Sequence, residues 1–228
     1  MWIAGATKIG YNYPIMPGDT TATTLAELLR TDIDAGVWAP GAVLRQEELA
    51  ARYGASRIPV REALQLLRAD GLLEIEPNRG AYVKALTAEQ IDEIFDLRVL
   101  LEGYLLTVAV PLHNAKTLVR LHSIQAELEV EDSRTGWLNG DRHFHQTLYE
   151  PAGRTRTLEI VIMLRRQVER YALHDITPGT RRAEWRREHR SLLAAVKARD
   201  TKRAGGILTD HLNETRAVVL RRLTIIKV

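Results

Sequence analysis

Apolar residues recur at helical spacing at Leu25, Leu28, Leu29 and Ile33, which predicts a helix that stops near Gly36, ahead of the Pro40-Gly41 turn. A second short helix is predicted from Gln46 to Tyr53, ending at Gly54. Ser56 is placed to cap a third, in which Pro59 falls in the tolerated first turn and which runs to about Asp70, where Gly71 supplies the stop. Leu72, Leu73, Glu74 and Ile75, the turn Pro77-Asn78-Arg79-Gly80, and Ala81, Tyr82 and Val83 then read as a β-hairpin. Three helices and a hairpin in about 60 residues is the layout of a winged helix-turn-helix.

Beyond Leu86 the pattern changes. Gly and Pro become sparse, and helical periodicity predicts six helices near 88–109, 114–131, 135–149, 155–174, 181–199 and 202–225, separated at Pro111, Gly136, Pro151 to Gly153 and Pro178-Gly179. Residues 1–20 carry Gly5, Gly10, Pro14, Pro17 and Gly18 with little periodicity. The expected fold is therefore mainly α: a flexible arm over 1–22, a winged helix-turn-helix over 23–84, and an all-α antiparallel helical bundle over 85–228.

Composition narrows the chemistry. The 228 residues hold no cysteine, so disulfides and thiolate metal sites are excluded and any metal falls to Asp, Glu or the seven histidines. No run approaches the roughly 18 apolar residues of a membrane span, and the first residues lack a basic segment followed by an apolar one, so a cytoplasmic protein with no membrane partner is expected. The net charge of +3 permits nucleic-acid binding without requiring it.

Position along the chain says more. On the third predicted helix Val60, Ala63, Leu64 and Leu67 form an apolar stripe, while Arg57, Arg61, Gln65 and Arg68 recur on another side. Arg can bond two acceptors of guanine or grip phosphate, and Gln can read adenine, so this face suits a major groove. Asn78, Arg79 and Gly80 place a flexible, positively charged tip one hairpin beyond it. In the helical part, Asp141 and His145 are four apart on the face that carries Trp137, Phe144 and Leu148. His189 shares a stripe with Trp185, Leu192 and Val196, and His211 one with Ala204, Leu208, Thr215 and Val218. One carboxylate and three imidazoles thus point into one bundle and call for a compensating cation or protons, a need that a divalent metal such as Zn, Ni, Mn or Fe would meet. His143, two residues from His145, falls on another face and reads as surface.

These residues resemble a known family. The stretch Ser56-Arg57-Ile58-Pro59-Val60-Arg61-Glu62-Ala63-Leu64, with Leu67, Gly71, Leu72 and Pro77-Asn78-Arg79-Gly80-Ala81-Tyr82-Val83, is similar to the DNA-binding domain of GntR regulators, and Gly36, Pro40-Gly41, Leu44, Glu48-Leu49-Ala50 and Gly54 extend the likeness over about residues 23–84. The resemblance implies Arg57 and Arg61 as principal DNA contacts and Gly80 at the wing tip, within a DNA-binding set of Arg45, Ser56, Arg57, Arg61, Gln65, Asn78, Arg79 and Gly80. One departure is Glu47, where relatives often carry Arg; either Arg45 substitutes or that contact is lost.

Asp141, His145, Glu188-His189 with Leu192 and Ala195, and His211-Leu212, spaced 44 and 22 residues from His145 to His189 to His211, resemble the metal-binding pattern of the FCD effector domain in FadR-type GntR regulators, six helices placing it in the VanR-like group. This implies a homodimer on pseudo-palindromic double-stranded operator DNA, controlled by a small organic acid at the metal, with Arg98 and Asn213 lining its cavity. An enzyme reading competes through His174-Asp175, the dipeptide of all-helical metal-dependent phosphohydrolases, but the sequence offers no general base with an obvious partner.

Overall fold

The computed structural model describes residues 21–77, 79–172 and 181–226; residues 1–20, Asn78 and the His174-Asp175 dipeptide lie outside them. The chain starts with α1 (Ala22–Asp34), whose Thr21 cap accepts a hydrogen bond from the Thr24 amide. Then come β1 (Val43–Leu44), α2 (Gln46–Tyr53), α3 (Arg57–Ala69), β2 (Leu73–Glu76) and β3 (Gly80–Val83). Gly54 ends α2 in the left-handed conformation that glycine adopts without strain, at φ +62°. The hairpin pairs Leu73 with Val83 and Glu76 with Gly80, and β1 adds to its other edge with Val43 opposite Tyr82, giving the order β1-β3-β2. The sequence reading lacks β1 because two residues are too short to show an alternation. Leu25, Leu29, Leu49, Val60, Leu64, Leu67, Leu73 and Val83 close one apolar core.

A second core lies among six helices, as expected: α4 (Ala88–Ala109), α5 (Ala115–Val130), α6 (Arg134–Tyr149), α7 (Thr155–Ala172), α8 (Arg182–Lys197) and α9 (Thr201–Ile226). Thr87 with Gln90 and Asn114 with Thr117 form reciprocal capping boxes at the starts of α4 and α5, and Ser133 caps α6. Pro111 and Pro151 stop α4 and α6 within short 3₁₀ turns, where a missing amide donor costs little. Helix α4 runs through the middle, against α9, α7 and α6. Among the described residues no helix is long and apolar enough to cross a membrane.

The two cores meet along α6 and α7. Arg142 bonds Glu169 at 2.5 and 3.1 Å and lies 3.6 Å from Asp34 at the end of α1. Arg166 stands 3.7 Å from Asp70 at the end of α3, which also pairs with Arg30. Gly71 has φ +72°, a conformation that calls for glycine, and the end of the Gln167 side chain packs where a Cβ would stand, 2.6 Å from Nε2. The Leu86 amide donates to the Tyr171 hydroxyl at 2.9 Å.

Candidate metal centre and DNA-facing surface

The four metal candidates come from three helices, and the structure brings them together. One ligand atom from each of Asp141, His145, His189 and His211 lies within 4.8 Å of the others. Ligands about 2.1 Å from a shared ion stand at most ~4.2 Å apart, so this set closes on one with side-chain shifts of about half an ångström. His145 and His189 are fully buried and His211 nearly so.

Three of the four donors are oriented by a second bond, and His189 by ring stacking. His145 Nδ1 meets the Tyr149 hydroxyl at 3.2 Å, leaving Nε2 buried and unpartnered. His211 Nδ1 bonds Glu188 Oε2 at 2.7 Å, which frees Nε2. Asp141 gives Oδ2 to Arg165 at 2.6 Å and keeps Oδ1 toward the rings, 3.3 Å from His189 Nε2 and 3.8 Å from His145 Nε2. His189 is stacked on Phe144 at 4.4 Å between ring centroids, with Trp137 at 6.2 Å, and has both nitrogens unpartnered. Buried imidazole nitrogens without partners are costly unless something accepts their lone pairs or protons. The donor set fits a divalent metal ion.

Burial, with the Arg165 charge second, pushes the His145 pKa well below the ordinary imidazole value. Burial does the same to His189 against the pull of Asp141. Burial alone would raise the Asp141 carboxyl, but Arg165 and the two rings outweigh it and hold it well below its usual range. Neutral imidazoles and an ionised carboxylate are the states that ligate metal. In the unfolded chain the imidazoles titrate near 6.5, so below about that pH the unfolded state takes up protons first. Stability present above pH ~6.5 is therefore lost as pH falls toward the folded values. Chelator-treated protein should melt at progressively lower temperature from about pH 7 to about pH 5, and His145→Gln should flatten part of that slope. A pH-independent midpoint over this window would contradict the buried neutral rings. The depressed carboxyls of Glu102 and Glu188 act lower, below their ordinary value of 4.5.

A cavity of about 40 Å³ opens beside the cluster. Roughly 10–15 Å³ admits one water on this scale, so it takes a few waters or the head of a small ligand. Asp141 and His211 of the cluster line it; Arg98, Arg165 and Glu169 supply charge, and Trp137, Trp185, Val168 and Val219 supply apolar wall. Behind it, fully buried Glu102 accepts from Arg98 Nε at 2.7 Å, Arg165 Nη1 at 3.1 Å and the Tyr149 hydroxyl at 2.7 Å. Asn213 does not join the cavity. It is exposed, because two residues along a helix turn roughly 200° away from His211. The place on that face belongs to Thr215, four residues after His211, which lines the cavity.

On the other core, Arg57, Arg61, Gln65 and Arg68 are all exposed on one side of α3, while Val60, Ala63, Leu64 and Leu67 are buried. Ser56 occupies the N-cap without a side-chain capping bond and is exposed. Arg45, at the start of α2, lies 3.5 Å from Glu48; Arg79 bonds Glu76 at 3.0 Å next to exposed Gly80. Glu47 pairs with Arg57 across the two helix starts. The acid at that position thus binds a neighbouring arginine.

Comparison with known proteins decides what this arrangement belongs to. Residues 21–83 match the bacterial regulatory proteins of the gntR family, and residues 93–214 match the FCD domain, more than half of the chain. The chain belongs to the GntR family, with an FCD domain.

It is 31% identical over 204 residues to an uncharacterized HTH-type transcriptional regulator, BphR, of Paraburkholderia xenovorans strain LB400, covering 84% of this chain and 82% of that protein. The HTH-type transcriptional repressor RspR of Escherichia coli K12 is 27% identical, covering 82% and 83%. Among solved structures, E. coli McbR/YncC superposes with a TM-score of 0.77 at 25% identity, covering 90% of this chain and 99% of that one. A putative GntR transcriptional regulator from Rhodococcus sp. RHA1 gives 0.72 at 26%, covering 87% and 97%. This GntR protein is a transcriptional regulator rather than an enzyme, and the hydrolase reading gives way.

Sequence reasoning missed Arg165, Glu102 and Tyr149, which orient the cluster, and named Glu188 beside His189 without giving it a role. One signal was present. Arg165 interrupts the stripe Val161, Leu164, Val168 and Tyr171 on α7, a charge where the helix faces inward.

Proposed function

We propose that this GntR protein is a metal-dependent sensor of a small organic acid that adjusts its own affinity for operator DNA. The observation that carries this reading is a cluster of four metal-ligating residues, two of which, Asp141 and His211, also line a cavity that Arg98 and Arg165 share. Asp141, His145, His189 and His211 would hold a divalent ion, which supplies a coordination position for a carboxylate oxygen. Arg98 and Arg165, oriented by Glu102, attract and align the acid; Trp137 and Trp185 pack its apolar part.

The first part of the chain, over 23–84, would read DNA through Arg57, Arg61 and Gln65, with Ser56, Arg45 and the wing residues Asn78, Arg79 and Gly80 setting register on the backbone. The bundle over 85–228 would dimerise. Support for that comes from Leu97, Leu100 and Tyr104, which recur along one face of α4 and are exposed. A homodimer presents two α3 helices to a pseudo-palindromic site. Coupling has a material route, since α7 lines the cavity through Arg165, Val168 and Glu169 and touches Asp70 and Gly71 through Arg166 and Gln167.

The test is fluorescence anisotropy on an operator selected from random duplexes, at fixed salt, with metal-loaded protein and a panel of small organic acids. An active acid should change wild-type affinity by about 1–3 kcal/mol and leave His189→Ala unchanged. Arg61→Ala should cost about 1–3 kcal/mol on the operator, whereas Arg79→Ala should weaken all duplexes alike and reduce the salt slope. Acids that bind both metal-loaded wild type and His189→Ala equally would move the effector site elsewhere, and normal operator binding by Arg61→Ala would remove α3 as the reading helix.

A further inference from the structure

For a part that reads DNA, the first stretch of the chain is unexpectedly acidic: residues 21–84 carry eight Lys and Arg against nine Asp and Glu. Affinity for DNA of any sequence comes mainly from cations placed against phosphates, so acids set among those cations weaken it. Three of the four arginines assigned to the DNA face have an acid beside them. Arg45 has Glu48 at 3.5 Å, Arg79 bonds Glu76 at 3.0 Å, and Arg57 donates from Nη2 to Glu47 Oε1, whereas Arg61 has no ion pair among the described residues.

The Arg57 pair differs from the other two. Arg45 and Arg79 meet acids three residues away, but Glu47 and Arg57 are ten apart and belong to different helices, Glu47 to the first turn of α2 and Arg57 to the first residue of α3. Folding does not account for it, because both side chains are exposed and an ion pair in water contributes little. Nor is Glu47 needed to complement the start of α2, where Glu48 also stands.

The pair does change the partners open to Arg57. A free guanidinium finds phosphate on every sequence, whereas the guanine edge needs its N–H fork held in the plane of the base pair. A carboxylate on Nη2 lowers the charge that attracts phosphate and repels any phosphate close by. Nε, Nη1 and the second proton of Nη2 have no other hydrogen-bond partner among the described residues, which is enough for guanine O6 and N7. We infer that Glu47 is a specificity determinant: it holds Arg57 for a guanine of the operator and keeps it off the phosphate backbone. Glu47 acts through Arg57, as a positioning residue. The inference rests on the proposed reading of DNA by α3 and assigns the way in which one of its arginines is used.

The test uses full-length protein on the selected operator and on a scrambled duplex of equal length, read by fluorescence anisotropy between about 50 and 200 mM salt. Each operator guanine is replaced in turn by deazaguanine, which lacks the N7 acceptor. At one guanine the replacement should weaken wild type roughly tenfold and leave Arg57→Ala unaffected. Glu47→Gln, which keeps the shape and loses the charge, should bind the scrambled duplex severalfold more tightly, steepen the salt slope by about 0.9, and shrink the penalty at that guanine severalfold. Glu48→Gln removes the same charge one residue on and should leave that penalty at its wild-type size. A wild-type slope and guanine penalty in Glu47→Gln, or the same loss of penalty in Glu48→Gln, would overturn the inference and leave α3 as the reading helix. So would an operator in which no guanine depends on Arg57, since Arg57 would then hold phosphate. Normal operator binding by both Arg57→Ala and Arg61→Ala would overturn the DNA-reading face as well.

Discussion

Replacing Glu102 by Leu is expected to lower the unfolding free energy by about 3–5 kcal/mol, the usual cost of removing one partner from a buried charge network. Glu102 is fully buried, and it takes hydrogen bonds from Arg98, Arg165 and Tyr149. Without it two guanidinium groups remain among apolar side chains with less opposite charge: Arg165 still has Asp141, whereas Arg98 loses its only ion pair among the described residues. Urea denaturation followed by far-ultraviolet circular dichroism reads the effect as a lower midpoint. Since such a loss is a large share of a domain's total stability, Glu102→Gln gives a milder test, and Glu102→Leu combined with Arg98→Met should recover part of the deficit. A Leu variant as stable as wild type would mean that both arginines reach water by another route.

Metal should act nearly as strongly. A ligand that binds only the folded state stabilises it by mass action, about 4 kcal/mol at a thousand times its dissociation constant. Zn²⁺ or Ni²⁺ should therefore raise the melting temperature, and a chelator lower it, with His145→Ala losing most of the response. His143→Ala serves as the control, because His143 is exposed two residues away. Melting curves indifferent to both chelator and added metal in the wild type would reduce the cluster to a polar core.

The sequence made some of this visible and hid the rest for geometric reasons. Asp141 and His145 could be paired because i,i+4 residues share a helix face, and His189 and His211 because each falls on an apolar stripe. The six helices followed from periodicity and from the prolines and glycines between them. Glu102 and Arg165 meet across 63 residues, and nothing in a one-dimensional pattern relates them. Arg98 and Asn213 were read alike, yet one is buried against Glu102 and the other faces solvent. Phase along α9, read from His211, distinguishes Asn213 from Thr215. Likewise β1 owes its existence to the partner β3 and carries no pattern of its own.

The joint between the two cores has a consequence for building hybrids. Asp34 and Asp70 come from the DNA-reading part, whereas their partners Arg142 and Arg166 come from the bundle. A graft that exchanges the first 84 residues for those of another regulator can be cut cleanly in the sequence near Leu86, but it carries away both acids and the glycine that admits Gln167. The transplanted sensor would then present two half-buried cations to an unmatched surface. Chimeric regulators made from this chain should need Asp34, Asp70 and Gly71 written into the incoming part before the two halves answer to each other.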